Sequence, residues 1–238
     1  MKLMRLLVPL IAVLALCAQQ PLEFEAASVK PNTAGGPGAT SRTRNDAVEF
    51  ENYSLRRLIQ TAYRAKDYAY AGPSWLDSVF LDVVAKRPAG TKPNQVPEML
   101  QTLLAQRFKL TVHRERREID GLALVVDKKG LKIPAVTPGT NSNSWGPATV
   151  QGTSISMDEF ADLLANALDG PVKNQTALPG VYDVRIKWLP NGPLPNDTGD
   201  MAGSPFAAVQ QLGLKLEKQK VPIEVVVVDS AERSPIEN

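Results

Sequence analysis

The sequence predicts an α+β fold of two tandem, similar subdomains, each ordered helix, strand, helix and hairpin on a small, mostly antiparallel sheet. Two observations predict it. Helical and strand-like hydrophobic patterns follow one another along the chain, and the same order of elements occurs once before and once after residue 134. The chain has 238 residues, of which 43% are hydrophobic, and this is enough to build a substantial core.

Residues 1–18 have the pattern of a cleaved export signal. Lys2 and Arg5 precede an apolar run that ends at Ala18, and this run is short for a membrane span. We therefore expect a periplasmic or extracellular protein that is not integral to a membrane after cleavage. An uncleaved anchor is the main alternative. Lipid attachment at Cys17 is another, but Leu16 stands where lipoprotein processing favours a small residue.

The first subdomain is predicted over residues 22–133. Ser54 is placed to cap a helix whose apolar residues recur at helical spacing. The predicted hairpin turns at Asp120 and Gly121, a pair typical of turns. The elements predicted here are a strand at 47–51, a helix from Ser54 with Leu55, Leu58, Ile59 and Ala62 inside, a strand at 80–86, a helix at 97–108, and hairpin strands at 108–113 and 122–127.

The second subdomain is predicted over residues 148–238 and repeats this order. Ser156 and Glu159 form a capping box at the start of its first helix, and its hairpin turns at Val221 and Pro222. The elements predicted here are a strand at 148–152, a helix with Met157, Phe160, Leu163 and Leu164 inside, a strand at 181–187, a helix at 205–212, and hairpin strands at 214–218 and 223–229.

Three segments rich in Gly, Pro, Asn or Ser fall outside the repeat and are predicted to be loops. Residues 32–45 are interpreted as a flexible loop. Residues 134–147 are interpreted as the junction between the subdomains. Residues 190–205 replace a shorter connection of the first half and are interpreted as a mobile surface loop.

Charge and composition exclude several kinds of site. The formal net charge is +2, and two of the cations lie in the predicted leader, so the sequence offers no electrostatic basis for binding nucleic acid. One cysteine excludes an intrachain disulfide, and one histidine excludes multi-histidine metal sites. A Cys–His dyad is excluded because the single cysteine, Cys17, lies in the predicted leader. The sequence therefore predicts no metal site and no cofactor.

Several residue types invite a catalytic hypothesis. His113, beside Arg114–Arg117, is interpreted as a surface histidine at the solvated end of a hairpin. Asp82 and Asp183 occupy matching positions and suggest paired carboxylates, but we predict a role in the fold for each, either capping a turn or meeting the lysine four residues later. The sequence predicts no catalytic residue.

Three tryptophans and two short motifs are candidates for binding. Trp75 is predicted to be buried, whereas Trp145 in the junction is the best candidate for an exposed aromatic among the three tryptophans, which include Trp188. Asn174 begins a glycosylation triplet. Asp197 and Asp200 fall well short of a calcium loop.

The chain resembles a large family of exported proteins of unknown function, the soil-associated acidobacterial paralogues. The matching segments cover nearly all of the chain after the leader and include residues 24–32, 58–63, 72–76, 80–86, 103–110, 178–183 and 211–217. The resemblance implies no catalytic residues. Similar domains are attached to membrane metallopeptidases of the beta-lactam-sensor type, which implies sensing or partner binding, although this chain lacks the His-Glu-x-x-His motif.

These observations favour a non-catalytic binding or sensing module of the cell envelope or exterior, with an envelope protein or peptide as partner. The binding residues are left unassigned beyond an exposed sheet edge or a groove between the halves. Two alternatives stay open. One is an envelope hydrolase acting on sugar or peptide through carboxylates, favoured if Asp82, Asp183 and His113 meet in one pocket. The other is a small-molecule binder in a junction cleft lined by Trp145.

Overall fold

The computed structural model describes residues 22–36, 38–189 and 203–236. Within these ranges the chain forms four α-helices and three four-stranded sheets, which confirms the predicted α+β class. The predicted leader 1–18 and the Asp197 and Asp200 pair lie outside the described residues, as does most of the predicted loop 190–205.

The elements follow one another from the first strand to a long last strand. In chain order they are β1 (Ala26–Pro31), β2 (Thr40–Arg44), β3 (Ala47–Ser54), α1 (Leu55–Tyr63), β4 (Tyr70–Ala71), β5 (Phe80–Lys86), α2 (Val96–Phe108), β6 (Thr111–Val126), β7 (Ala135–Val136), β8 (Ser142–Gly146), β9 (Thr149–Ile155), α3 (Met157–Leu168), β10 (Val172–Asn174), β11 (Val181–Lys187), α4 (Pro205–Gln210) and β12 (Leu214–Ser230).

Capping serines set the starts of α1 and α3, as predicted. The Ser54 hydroxyl accepts a hydrogen bond from the Arg57 backbone N–H. At α3 the Ser156 hydroxyl accepts from the Glu159 N–H at 3.2 Å, and the Glu159 carboxylate accepts from the Ser156 N–H at 2.7 Å. Both ends of the predicted capping box are therefore present.

Two cores form, one on each outer sheet. The first sheet has the order β1-β5-β3-β2 and is antiparallel throughout. Its core contains the buried faces of α1 and α2, including the four predicted apolar residues of α1. The third sheet, β7-β11-β9-β8, packs against α3 and α4, and its core contains the four predicted apolar residues of α3.

The central sheet has the order β10-β6-β12-β4 and joins the two cores. Its two long strands pair antiparallel from Thr111 opposite Ser230 to Val126 opposite Leu214. The two predicted hairpins are therefore wrong, because residues 111–126 and 214–230 each run on as one strand. Long-range pairing between β6 and β12 overrides the local turn signals at Asp120–Gly121 and Val221–Pro222.

Each long strand contributes to both cores. β6 begins next to the first core, where Val112 packs, and ends in the second core with Leu124. β12 runs the other way, with Leu214 in the second core and Val228 in the first. The two cores are therefore tied together by the same pair of strands.

Two predicted loops contain strands. β2 lies within residues 32–45 and pairs along β3. β7 and β8 lie within the predicted junction 134–147 and form the two edges of the third sheet. Ser, Asn and Gly favour turns, but the strands beside these segments supply backbone partners that local propensity does not reveal.

Candidate functional site

The carboxylates of Asp82 and Asp183 each accept a hydrogen bond from the backbone of a residue with positive φ in a neighbouring strand. Asp82 accepts a hydrogen bond from the Asn52 N–H, and Asp183 accepts one from the Ser154 N–H. Asn52 and Ser154 both have a φ of 55°, and both sheets have a register shift at this place. The aspartates therefore stabilise β-bulges, which is the capping role in the fold predicted for them.

His113 is exposed on the central sheet. Its Nδ1 lies 2.8 Å from Asp229 Oδ1, and its Nε2 lies 3.7 Å from Glu115 Oε2. The histidine is on the surface, as predicted, but it lies near the start of the long strand β6 and not at the end of a short hairpin strand. His113, Asp82 and Asp183 belong to three different sheets, and among the described residues no hydrogen bond or ion pair joins any two of them.

The predicted basic run next to His113 is largely neutralised by neighbouring carboxylates. Arg114 pairs with Glu224 across the strands, and Arg117 pairs with Glu115 along its own strand. These side chains are exposed, so each pair contributes little to stability. The run is therefore a solvated stretch of β6 whose side chains alternate between the two faces of the central sheet, and the predicted hairpin end does not exist.

The three tryptophans differ in their surroundings. Trp75 is half-buried against the first core, and the Arg233 guanidinium lies 5.0 Å from its ring centroid. Trp188 is partly buried against the second core. Trp145 is 52% exposed, as predicted for it.

Trp145 belongs to an open edge strand. β8 pairs with β9 on one side and has no strand on its other side within the described residues. Its sequence, SNSWG, carries no charge and no proline. The edge strands of the first sheet differ, because β1 contains Lys30 and Pro31 and β2 contains Arg42 and Arg44. Charges and proline on an edge oppose the addition of another strand, so β8 is the long edge least protected in the described part of the chain.

Trp145 also lines a cleft between the two halves of the chain. We call it the Trp145 cleft, and its volume is about 220 Å³. The Lys66 ammonium donates to Asn166 Oδ1 at 2.5 Å across it, so the two halves are in contact there. The lining residues come from the segment at the end of α1 (Gln60, Ala65, Lys66, Asp67, Tyr68) and from β8 and α3 (Trp145, Ala165, Asn166, Asp169).

One face of α3 gives this region an acidic wall. Asp162, Asn166 and Asp169 follow one another at helical spacing. Burial raises the pKa of Tyr68, and the charges of Asp162 and Asp169 raise it further. Desolvation also raises the pKa of the Asp162 carboxyl, against the opposing effect of Lys66. An exposed aromatic ring next to carboxylates and amides can hold a polar ligand or a peptide side chain.

The sequence identified Trp145 but missed its neighbours. The spacing of Asp162, Asn166 and Asp169 was a usable signal for a polar helix face. No sequence pattern pointed to Tyr68 or Lys66, because they reach this face only through contacts between distant parts of the chain, such as Lys66 with Asn166.

Two features of the described residues concern membrane-spanning helices and metal sites. In the described ranges, no helix is both long and apolar enough to cross a membrane. Those same residues contain no cluster of three or more His, Cys, Asp or Glu side chains suited to a metal ion.

Comparison with known proteins gives a family and no activity. No curated protein and no solved structure matches the chain. The model of one family, described as "Protein of unknown function (DUF3738)", matches residues 56–231. This range includes α2 to α4, both long strands and all of α1 except its first residue, Leu55, but leaves β1 to β3 outside. The chain therefore belongs to the DUF3738 family of proteins of unknown function.

Proposed function

We propose that the protein is a non-catalytic binding module that takes up an extended peptide segment of a partner protein along β8. The observation that carries this proposal is the uncharged, open edge of β8 with the half-exposed Trp145 near its end. An added strand gains main-chain hydrogen bonds from such an edge, and side-chain pockets beside the edge give specificity. The Trp145 cleft is such a pocket.

We further propose that binding takes place in the cell envelope or outside the cell. The leader-like residues 1–18 and the resemblance to exported acidobacterial proteins support this location. Recovery of the protein from the envelope or medium of its host, with a mass that lacks the leader, would support it. A cytoplasmic protein that keeps residues 1–18 would contradict it, and a lipid-modified Cys17 would replace cleavage after Ala18.

We also propose that the two halves of the chain arose by a tandem duplication. In support of it, Asp82 and Asp183 make the same contact to a residue with a φ of 55°, and both halves begin a helix with a capping serine. Under this proposal the halves have diverged at their edges, because β2 carries two arginines where β8 carries none.

The peptide proposal is tested with a displayed library of extended, uncharged peptides selected on the protein from residue 22 onward. We expect selected peptides to slow amide hydrogen exchange in β8, and Trp145→Ala to weaken their binding roughly tenfold. Val84→Ala is the matched control, since Val84 is also 52% exposed but lies on the first sheet. Protection at another edge, or equal binding by the Trp145 and Val84 variants, would contradict the proposal.

A small-molecule site in the Trp145 cleft is a second candidate, and the mixed aromatic and acidic lining of the cleft favours it. Here a thermal-shift screen of small polar compounds would give hits that Trp145→Ala abolishes. Asn143→Lys, which adds a charge to the β8 edge, separates the two candidates. It should weaken peptide addition along β8 and leave a small ligand of the cleft unaffected.

A further inference from the structure

A second, apolar groove lies beside the middle of the β6–β12 pair. Its volume is about 650 Å³, within the range of about 300–1,000 Å³ typical of ligand pockets. It opens where the long strands pass the turn between α3 and β10 and the start of α4. Its walls consist of the apolar side chains Leu122, Leu168, Pro171 and Phe206.

The groove continues the second core beyond its edge. Leu124 and Leu216 face each other in the core, and the next pair on the same face of the sheet is Leu122 with Lys218. The alkyl stem of a lysine can cover apolar surface while its ammonium stays in water. The groove therefore has an apolar interior and, at its mouth, the ammonium groups of Lys218 and Lys220.

Backbone contacts hold the wall opposite the strands in place. The Leu122 N–H donates to the Pro171 carbonyl at 2.9 Å. A Cβ on Gly121 would lie 2.8 Å from Pro171 Cγ, so the absence of a side chain at Gly121 allows this close approach. These contacts fix the apolar wall against the strands.

The charge at the mouth is positive. Lys220 pairs with Asp120 at 2.8 Å, whereas Lys218 makes no ion pair with any described residue. Two lysines against one aspartate leave a net charge of +1 beside an apolar interior. This combination complements a molecule with a hydrocarbon chain and one anionic end.

We propose that this groove binds a free long-chain fatty acid, with its alkyl chain along Leu122, Leu168 and Phe206 and its carboxylate at Lys218. Burial of the chain supplies most of the binding free energy, and the ammonium selects the charged end. The site is separate from β8 and from the Trp145 cleft, so the proposal does not depend on the peptide-binding function.

The test is a titration of the protein from residue 22 onward with hexadecanoate and, in parallel, with hexadecanol. We expect one-to-one binding of hexadecanoate, and Lys218→Gln should weaken it about fivefold to tenfold without changing the binding of hexadecanol. Lys173→Gln is the matched control, because Lys173 is an exposed lysine on the neighbouring strand β10. Leu168→Trp, which fills the groove, should weaken both ligands.

Three outcomes would overturn the proposal. The first is the absence of saturable binding, and the second is an equal effect of the Lys218 and Lys173 variants on hexadecanoate. The third is a wild-type oligomer that Leu168→Trp dissociates while hexadecanoate does not bind, which would make the groove an interface between copies of the chain. Lys218 is exposed, so its variant keeps the test valid even if Leu168→Trp disturbs folding.

Discussion

The Asp82 carboxylate accepts a hydrogen bond at 2.8 Å from the backbone N–H of Asn52, whose φ of 55° lies in the left-handed region. The same carboxylate oxygen accepts a second hydrogen bond from the Asn32 amide. Asp183 makes the corresponding contact to Ser154 at 2.9 Å. A carboxylate that satisfies the backbone of a bulge is a structural group, which accounts for an aspartate in each of these strands without any reaction.

We expect Asp82→Ala and Asp183→Ala each to lower the free energy of unfolding by about 1–3 kcal/mol, since each leaves a bulge N–H without its acceptor. Denaturant unfolding measures this. Asp77→Ala is the control, because Asp77 only joins a partly exposed ion pair with Arg56 and should cost at most about 1 kcal/mol. Equal effects of Asp82→Ala and Asp77→Ala would show that the bulge contact is not stabilising.

The capping box of α3 makes stability depend on pH. Hydrogen bonds from the Ser156 backbone, the Asn141 amide and the Ser156 hydroxyl lower the pKa of Glu159 in the folded protein. The stabilisation is therefore fully present above the usual glutamate pKa of about 4.3 and is lost as the pH falls through the lower folded value.

Glu159→Gln should therefore remove part of the decrease in the free energy of unfolding at acid pH. Ser156→Ala should lower the free energy of unfolding by about 0.5–2 kcal/mol at pH 7. Urea unfolding between pH 7 and pH 3 measures both effects. Glu118→Gln serves as the comparison, since Glu118 is exposed on β6 away from the helix. The interpretation fails if the Glu159 variant follows the wild-type pH profile.

Gly213, at the turn into β12, should not tolerate a side chain. Its φ is 77°, and a Cβ there would overlap the Gly130 carbonyl oxygen and lie 2.7 Å from the Lys132 nitrogen. Gly130 has a similar φ of 81° but open space around it. We expect Gly130→Ala to lower the free energy of unfolding by about 1–2 kcal/mol through backbone strain alone. Gly213→Ala should lower it clearly more, because the added Cβ also overlaps the backbone. Thermal unfolding would contradict this if the two variants had the same midpoint.

Because β6 and β12 each pack into both cores, we predict that neither half folds by itself. Residues 22–133 lack most of the second core, and residues 134–238 lack Leu124 and keep a Val228 with no first core to enter. We expect each fragment alone to show no cooperative unfolding by circular dichroism, and the two mixed fragments to recover it. A cooperative transition in either isolated fragment would establish that half as an independent domain.

Local patterns in the sequence were sufficient to predict two helix starts, one strand and the exposure of one tryptophan. The start of α1 at Ser54, the capping box at Ser156 and the exact span of β5 followed from hydrophobic spacing and capping residues. The exposure of Trp145 followed from its polar surroundings in sequence. The cap bonds of α1 and α3 join residues three positions apart, whereas β5 was recognised from its apolar pattern although its partners β1 and β3 lie far away in the chain.

The sequence by itself determined the α+β class, the presence of the helices, and the buried faces of α1 and α3. Tertiary structure alone decided that residues 111–126 form one strand, that β8 is an open edge, and that Tyr68 meets the face of α3. Strand partners and clefts depend on contacts between residues far apart in the chain, such as Lys66 with Asn166. A pairing that runs from Thr111 to Val126 outweighs the turn signal of a single Asp120–Gly121 pair.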